Sequence, residues 1–136
     1  MMRSLTMSMV AVLLLTACGR GGQTAPLKEL ERVRSGSLNV VLLSTAETLK
    51  PGKGMFAIEF RDAGGGLVDV GAVSVGASMT MPGMAPMFGE TAVTPSATRG
   101  RYDVSSDLEM AGTWRLNIIW NGPHGRGEAT MRATAS

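Results

Sequence analysis

The sequence predicts an all-β domain, an antiparallel sandwich of two sheets, and three observations predict it. Apolar residues recur with period two along most of the chain. The alternating segments are short and bounded by Gly, Pro and Asn clusters. Helical spacing is confined to one brief stretch near the start.

The chain opens with a charged Met1-Met2-Arg3, an apolar run from Met7 to Leu15, and small residues just before Cys18. That order is a secretory signal. The run falls short of the roughly 20 apolar residues a bilayer span needs, so it is expected to be cleaved rather than retained. Leu15-Thr16-Ala17-Cys18 resembles the lipobox of bacterial lipoproteins. That resemblance implies that the Cys18 thiol becomes a thioether to diacylglycerol. Gly19, where an Asp would retain the protein at the inner membrane, implies the outer membrane over the inner. The expected location is the cell envelope, on the periplasmic face. Gly19 to Thr24 is Gly-rich and polar and suits a flexible tether. After Pro26, Leu27, Leu30 and Val33 fall on one side of a helical wheel. The stretch is too short to be stable alone and reads equally as a turn or two of helix or as a solvated extension of the tether.

The folded domain is therefore expected at 37–136, after a signal peptide at 1–17 and a lipidated Cys with its tether at 18–36. Leu38, Val40 and Leu42 alternate with Asn39, Val41 and Leu43; beyond a Lys50-Pro51-Gly52-Lys53 turn, Phe56, Ile58 and Phe60 alternate with Ala57, Glu59 and Arg61. Asp62 to Gly66 is a turn. Leu67 to Met81 supplies one or two strands, with a bulge or bend at Gly71 and Gly76. Pro82-Gly83 breaks the chain and Met84 to Phe88 is a loop. Glu90 to Thr94 and Gly100 to Ser105 are short strands. Trp114, Leu116, Ile118 and Trp120 make the cleanest alternation, Asn121 to Gly127 a hairpin loop, and Ala129, Met131 and Ala133 the inward face of the last strand. About seven strands with almost no helix make an immunoglobulin-like antiparallel β-sandwich.

Composition narrows the chemistry. Cys18 is the one cysteine, so the domain has no disulfide and packing alone must hold it. A formal charge of +2 with scattered Lys and Arg makes no basic patch, which excludes nucleic acid as a partner. One histidine and no nucleophile elbow or phosphate loop leave little for catalysis, and the chain reads as a non-enzyme.

The unusual segment is Met79-Thr80-Met81-Pro82-Gly83-Met84-Ala85-Pro86-Met87, with four thioethers in nine residues. Met79 and Met81 point to one face if they end a strand, and the Pro-Gly reversal can bring Met84 and Met87 back toward it. Thioethers are soft, neutral donors that select Cu(I) over Zn(II), Mg(II) or Ca(II). They need lose no proton to bind and cannot be consumed in a disulfide. The bland alternative is an adaptable partner-binding surface or core filler without metal. Met110 could complete the sulfur set or simply pack on Trp114. His124, in the Gly122-Pro123-His124-Gly125 tip, is a possible ligand or a solvated turn residue. Met55, Met131 and both tryptophans read as packing residues.

Residues 37 to 134 resemble the YtkA-like and FixH-like periplasmic domains. The resemblance rests on the Pro51-Gly52 turn, Met81-Pro82-Gly83-Met84-Ala85-Pro86-Met87, Gly100-Arg101-Tyr102, and Met110-Ala111-Gly112-Thr113-Trp114-Arg115-Leu116, in that order. It implies a β-sandwich that binds or delivers copper at the Met-Pro segment, with a copper efflux pump or a terminal-oxidase assembly as partner. The lipid anchor in place of a transmembrane helix departs from the oxidase-assembly members. Two functions follow as expectations: a lipid-tethered Cu(I) buffer or carrier, or a metal-independent module whose Met loop docks a partner complex.

Overall fold

The computed structural model describes residues 26–136. The signal peptide expected at 1–17, the expected lipidation site Cys18 and the first part of the expected tether lie outside the described residues. Eight antiparallel strands make up the fold: β1 (Lys28–Ser35), β2 (Leu38–Ser44), β3 (Gly52–Arg61), β4 (Ala72–Met79), β5 (Met87–Pro95), β6 (Arg101–Leu108), β7 (Gly112–Gly122) and β8 (Gly125–Ala135). Their order is β1-β2-β3-β6-β5-β4-β7-β8, and β1 packs back on β8 to bring the two ends of the sheet together. Between those ends Ser35 Oγ donates to the Glu128 carbonyl at 2.8 Å.

Two walls face each other across one core. One is β1-β2-β3-β6 and the other is β4-β7-β8, while β5 belongs to both. Met87 to Gly89 of β5 pair with β4, and from Glu90 onward β5 pairs with β6. The handover is tightly packed. A Cβ on Gly89 would stand 2.9 Å from Leu108 Cδ2, 3.2 Å from the Asp107 carbonyl oxygen and 3.3 Å from Ala77 Cβ, so a side chain at this corner would have to push its neighbours aside. Past the corner, Thr91 Oγ1 still donates to the Val75 carbonyl and holds β5 to the wall it has left.

Period-two patterning places the core. Val40, Leu42, Phe56, Ile58, Phe60, Trp114, Leu116 and Ile118 point inward and are all buried. Phe60 meets Tyr102 and Trp120 edge-on, with ring centroids 5.5 and 5.0 Å apart, the offset that aromatic quadrupoles prefer. Burial of this set of large side chains, each worth about 1.5–3 kcal/mol, holds together a domain that has no disulfide.

Four sequence expectations change. The loop expected at Met84 to Phe88 stops short, because Met87 and Phe88 already belong to β5 and pair with Met79 and Ser78. The stretch carrying Leu27, Leu30 and Val33 is neither helix nor solvated tether: Lys28–Ser35 is strand β1, and Leu30 and Val33 pack on the core. A wheel-like spacing of three over so short a run is also met by a strand with an irregularity, and the register does shift between Glu29 and Glu31. The hairpin loop expected at 121–127 is shorter, since β7 and β8 pair as far as Gly122 and Gly125, leaving Pro123-His124 as the tip. Met55 is not a packing residue; it points outward from β3 and is 69% exposed. Met131, Trp114 and Trp120 are buried as expected.

Candidate functional site

The strand directions decide what can meet. β4 ends, β5 begins, β6 ends and β7 begins at one end of the sandwich, because Met79 is paired with Met87 and Gly112 follows the β6 exit after a three-residue turn. The Met segment and the Met110 turn therefore share that end.

Within it, Met79 and Met87 are direct cross-strand partners, and such partners project to the same face. That face is the interior. Met79 is 5% exposed, and Met81, Met87 and Met110 are half-buried against the same core cluster. Met81 follows β4 immediately. The Met84 N–H donates to the Met81 carbonyl at 3.2 Å, closing a turn with Pro82 and Gly83 at its centre. Gly83 has φ +75°, and proline followed by a positive-φ glycine is the pattern of a type II turn. Met84 stands at the exit of this turn and is 59% exposed. Ala85 and Pro86 return the chain to Met87. The segment is thus a graded series, with Met79 at the floor, Met81 and Met87 at the wall, and Met84 at the tip.

The β6–β7 turn closes the floor. Gly112, at φ +140°, lies so near Met79 that a Cβ there would be 2.9 Å from the Met79 methyl and 3.5 Å from its sulfur. Two residues earlier, the Met110 carbonyl accepts the Trp114 indole N–H at 3.0 Å. Trp114 itself is fully buried, so this hydrogen bond satisfies its one polar atom and fixes the turn that carries Met110.

His124 is at the other end. β7 runs the length of the sandwich from Gly112 to Gly122, and eleven strand residues span roughly 30 Å. The structure brings Met79, Met81, Met84, Met87 and Met110 to one end and does not bring His124 to them. Among the described residues no three of His, Cys, Asp and Glu gather into a cluster that could hold a metal ion.

A family model described as YtkA-like matches residues 33–118, from within β1 to within β7. The chain belongs to the YtkA-like family. The matched span contains the whole Met segment and the Met110 turn. The crystal structure of the Lin-41 filamin domain is also similar to this YtkA-like chain, at 20% identity and a TM-score of 0.39, over 62% of this chain and 78% of that one. No curated protein matches it.

Two polar groupings in the YtkA-like domain escaped the reading of its sequence. Glu59, placed by alternation on a polar face, has a side chain only 3% exposed. Its Oε2 accepts from Arg61 Nε and Nη2 at 3.0 and 2.7 Å, and its Oε1 from Arg101 Nε and Nη2 at 3.1 and 2.9 Å. Both oxygens are thus held by planar guanidinium forks. The signal was an acid and a base at i and i+2, hence on one face, with the second arginine supplied only by the β3–β6 register of Glu59 and Arg101.

The other grouping is around Tyr102. Its hydroxyl shares a proton between the Gly71 carbonyl at 2.8 Å and Asp69 Oδ1 at 3.2 Å. Burial, and then the negative charge of Asp69, push the Tyr102 phenol above the ordinary tyrosine range. The Gly71 N–H, with smaller help from Tyr102 and Arg99, holds the Asp69 carboxyl below the ordinary carboxylate range against the cost of its desolvation. Gly100-Arg101-Tyr102 is therefore a structural block: Arg101 locks onto Glu59 while Tyr102 ties β6 to the chain entering β4.

Proposed function

We propose that this YtkA-like protein is a non-enzymatic, lipid-anchored copper-binding protein of the bacterial envelope, which takes up Cu(I) at the Met segment and buffers it or passes it to a membrane partner. Efflux and oxidase-assembly machinery are the partner classes in view. Met81, Met84 and Met87 are the principal ligands. Met79 serves as a fourth or exchange ligand from the floor, and Met110 is the reserve sulfur on the adjoining turn. The observation that carries the reading is the graded exposure of one folded set of thioethers, from buried Met79 through half-buried Met81 and Met87 to exposed Met84. Such a series offers an incoming soft ion a first contact at the tip and further sulfurs toward the interior. Because the donors are neutral and weak, the ion remains exchangeable.

The alternative reading is a metal-independent docking module. It is favoured by the exposure of Phe88, 75%, immediately after Met87. Methionine and aromatic side chains together make adaptable partner-binding surfaces.

An anaerobic Cu(I) competition titration on residues 19–136, which contain all eight strands, tests the first reading against the second. One exchangeable Cu(I) per chain, lost when Met81, Met84 and Met87 are all changed to Leu, is the expected result. Unchanged uptake in that triple variant defeats the proposed site. No uptake by the wild-type domain defeats the copper reading and leaves the docking module.

A further inference from the structure

We infer that the Met end of the sandwich rests end-on against the bilayer surface. This deepens the proposed function and rests on its lipid-anchor reading. The argument begins with where the chain enters. Lys28, the first residue of β1, pairs with Ser44, the last of β2, so the tether joins the sandwich at the end that holds the Met segment. Between Cys18 and Pro26 the chain can reach at most about 28 Å when fully extended. The sandwich is itself roughly 30 Å long along β7. Inverting the domain, with the Pro123-His124 tip on the membrane, would need the whole chain from Cys18 to Lys28 drawn out almost straight along the sandwich, at a cost in chain entropy that the upright placement avoids.

The choice between lying flat and standing end-on comes from the exposed apolar side chains. Among the described residues the large ones are Leu27, Met55, Leu67, Met84 and Phe88. Leu27, Met84 and Phe88 are at the Met end, and Met55 lies three residues up β3 from it. Leu27 precedes β1, whereas Met84 and Phe88 flank the start of β5, halfway round the strand order. Apolar groups on opposite walls of one end can enter an interface together only if that end faces it. Charges nearby are of both signs, with Lys28, Lys50 and Lys53 beside Glu47 and Glu109, and Lys28 and Glu47 are 3.6 Å apart. The contact is therefore apolar rather than electrostatic and does not need anionic lipid. The occupant is the lipid surface, and the consequence for the Met segment is that its opening lies at the height where an integral membrane partner presents its extracytoplasmic face.

Lipidation consumes the Cys18 thiol, so an introduced cysteine is the one labelling site. The lipidated full-length protein is placed in phosphatidylcholine vesicles containing a quencher-bearing lipid, with nitrobenzoxadiazole on Ala85→Cys or on Arg126→Cys. Residue 85 is in the Met loop and residue 126 near the opposite tip. The expected result is a blue-shifted emission at 85, quenched at least threefold more than at 126, and a loss of at least half of that quenching when Phe88→Asp is added. Equal quenching at the two sites, greater quenching at 126, or no effect of Phe88→Asp overturns the inference while leaving the anchor reading intact. Failure of the protein to float with the vesicles overturns the anchor reading and this inference together. Cu(I) uptake is measured separately and bears on neither outcome.

Discussion

Met79 on β4 and Gly112 at the start of β7 are packed so closely that a single added carbon on the glycine would collide with the methionine methyl at 2.9 Å. The contact joins the floor of the Met segment to the turn that carries Met110, and it depends on a backbone conformation, φ +140°, that glycine adopts without strain.

Gly112→Ala should therefore destabilise the domain by about 1–2 kcal/mol, from backbone strain and the displacement of Met79. Gly76→Ala is the matched control. Gly76 lies on β4 with open space around the added carbon, so the change should be neutral or mildly stabilising. Urea unfolding of the two variants checks this, and equal effects would show that the Met79 contact is unimportant.

The burial gradient along the Met segment predicts a split between stability and metal affinity. Met79→Leu, inside the core, should cost less than about 1.5 kcal/mol of stability and reduce Cu(I) affinity only modestly. Met84→Leu, at the exposed tip, should leave the unfolding midpoint unchanged and lower Cu(I) affinity more. A competition titration in parallel with thermal melts reads both quantities. The reverse ranking would make Met79 the principal ligand.

Removing the Glu59 carboxylate leaves Arg61 and Arg101 facing each other without their shared anion. Breaking a fully buried pair costs about 3–5 kcal/mol, but these arginines keep nearly a third of their surface in water. Glu59→Ala should accordingly cost about 2 kcal/mol, and replacing both arginines as well should recover part of it. A denaturant series across the single, double and triple variants measures the coupling; strict additivity would rule it out.

Tyr102 predicts an alkaline limit to part of the stability. Because its folded-state pKa is raised, the contribution is fully present below the unfolded value near 10 and is lost as pH rises through the higher folded one. Tyr102→Phe should cost about 1 kcal/mol at neutral pH and less above pH 10, as the wild type loses what the variant already lacks. Asp69 acts at the other extreme. With a depressed pKa, its contribution is present above about pH 4 and disappears as pH falls through the folded value. Unfolding free energies at pH 3, 7 and 10.5 test both signs.

A chain starting at Ser37, where the sequence places the domain boundary, lacks β1 and exposes the β2 edge together with the core surface covered by Leu30 and Val33. It should melt well below a chain starting at Gly19 and should aggregate. Coincident melting curves would return β1 to the role of tether.

Sequence alone determined the all-β, antiparallel class and most of the inward-facing positions. A period of two is a local property of the strand, so Phe56, Ile58 and Phe60, or Trp114, Leu116, Ile118 and Trp120, reveal their common face without knowledge of any partner. The Met segment and its Pro82-Gly83 reversal were legible for the same reason, since turn chemistry also acts over a few residues. Tertiary structure decided what depends on pairing between distant strands. Lys28–Ser35 became β1 because β2 offered it an edge and a core to cover, a contact that outweighs the weak local preference of so short a run. The β3–β6 register set Arg101 opposite Glu59, and the direction of β7 separated His124 from the methionines while its start brought the Met110 turn beside them. Those are long-range relationships, and no local pattern encodes them.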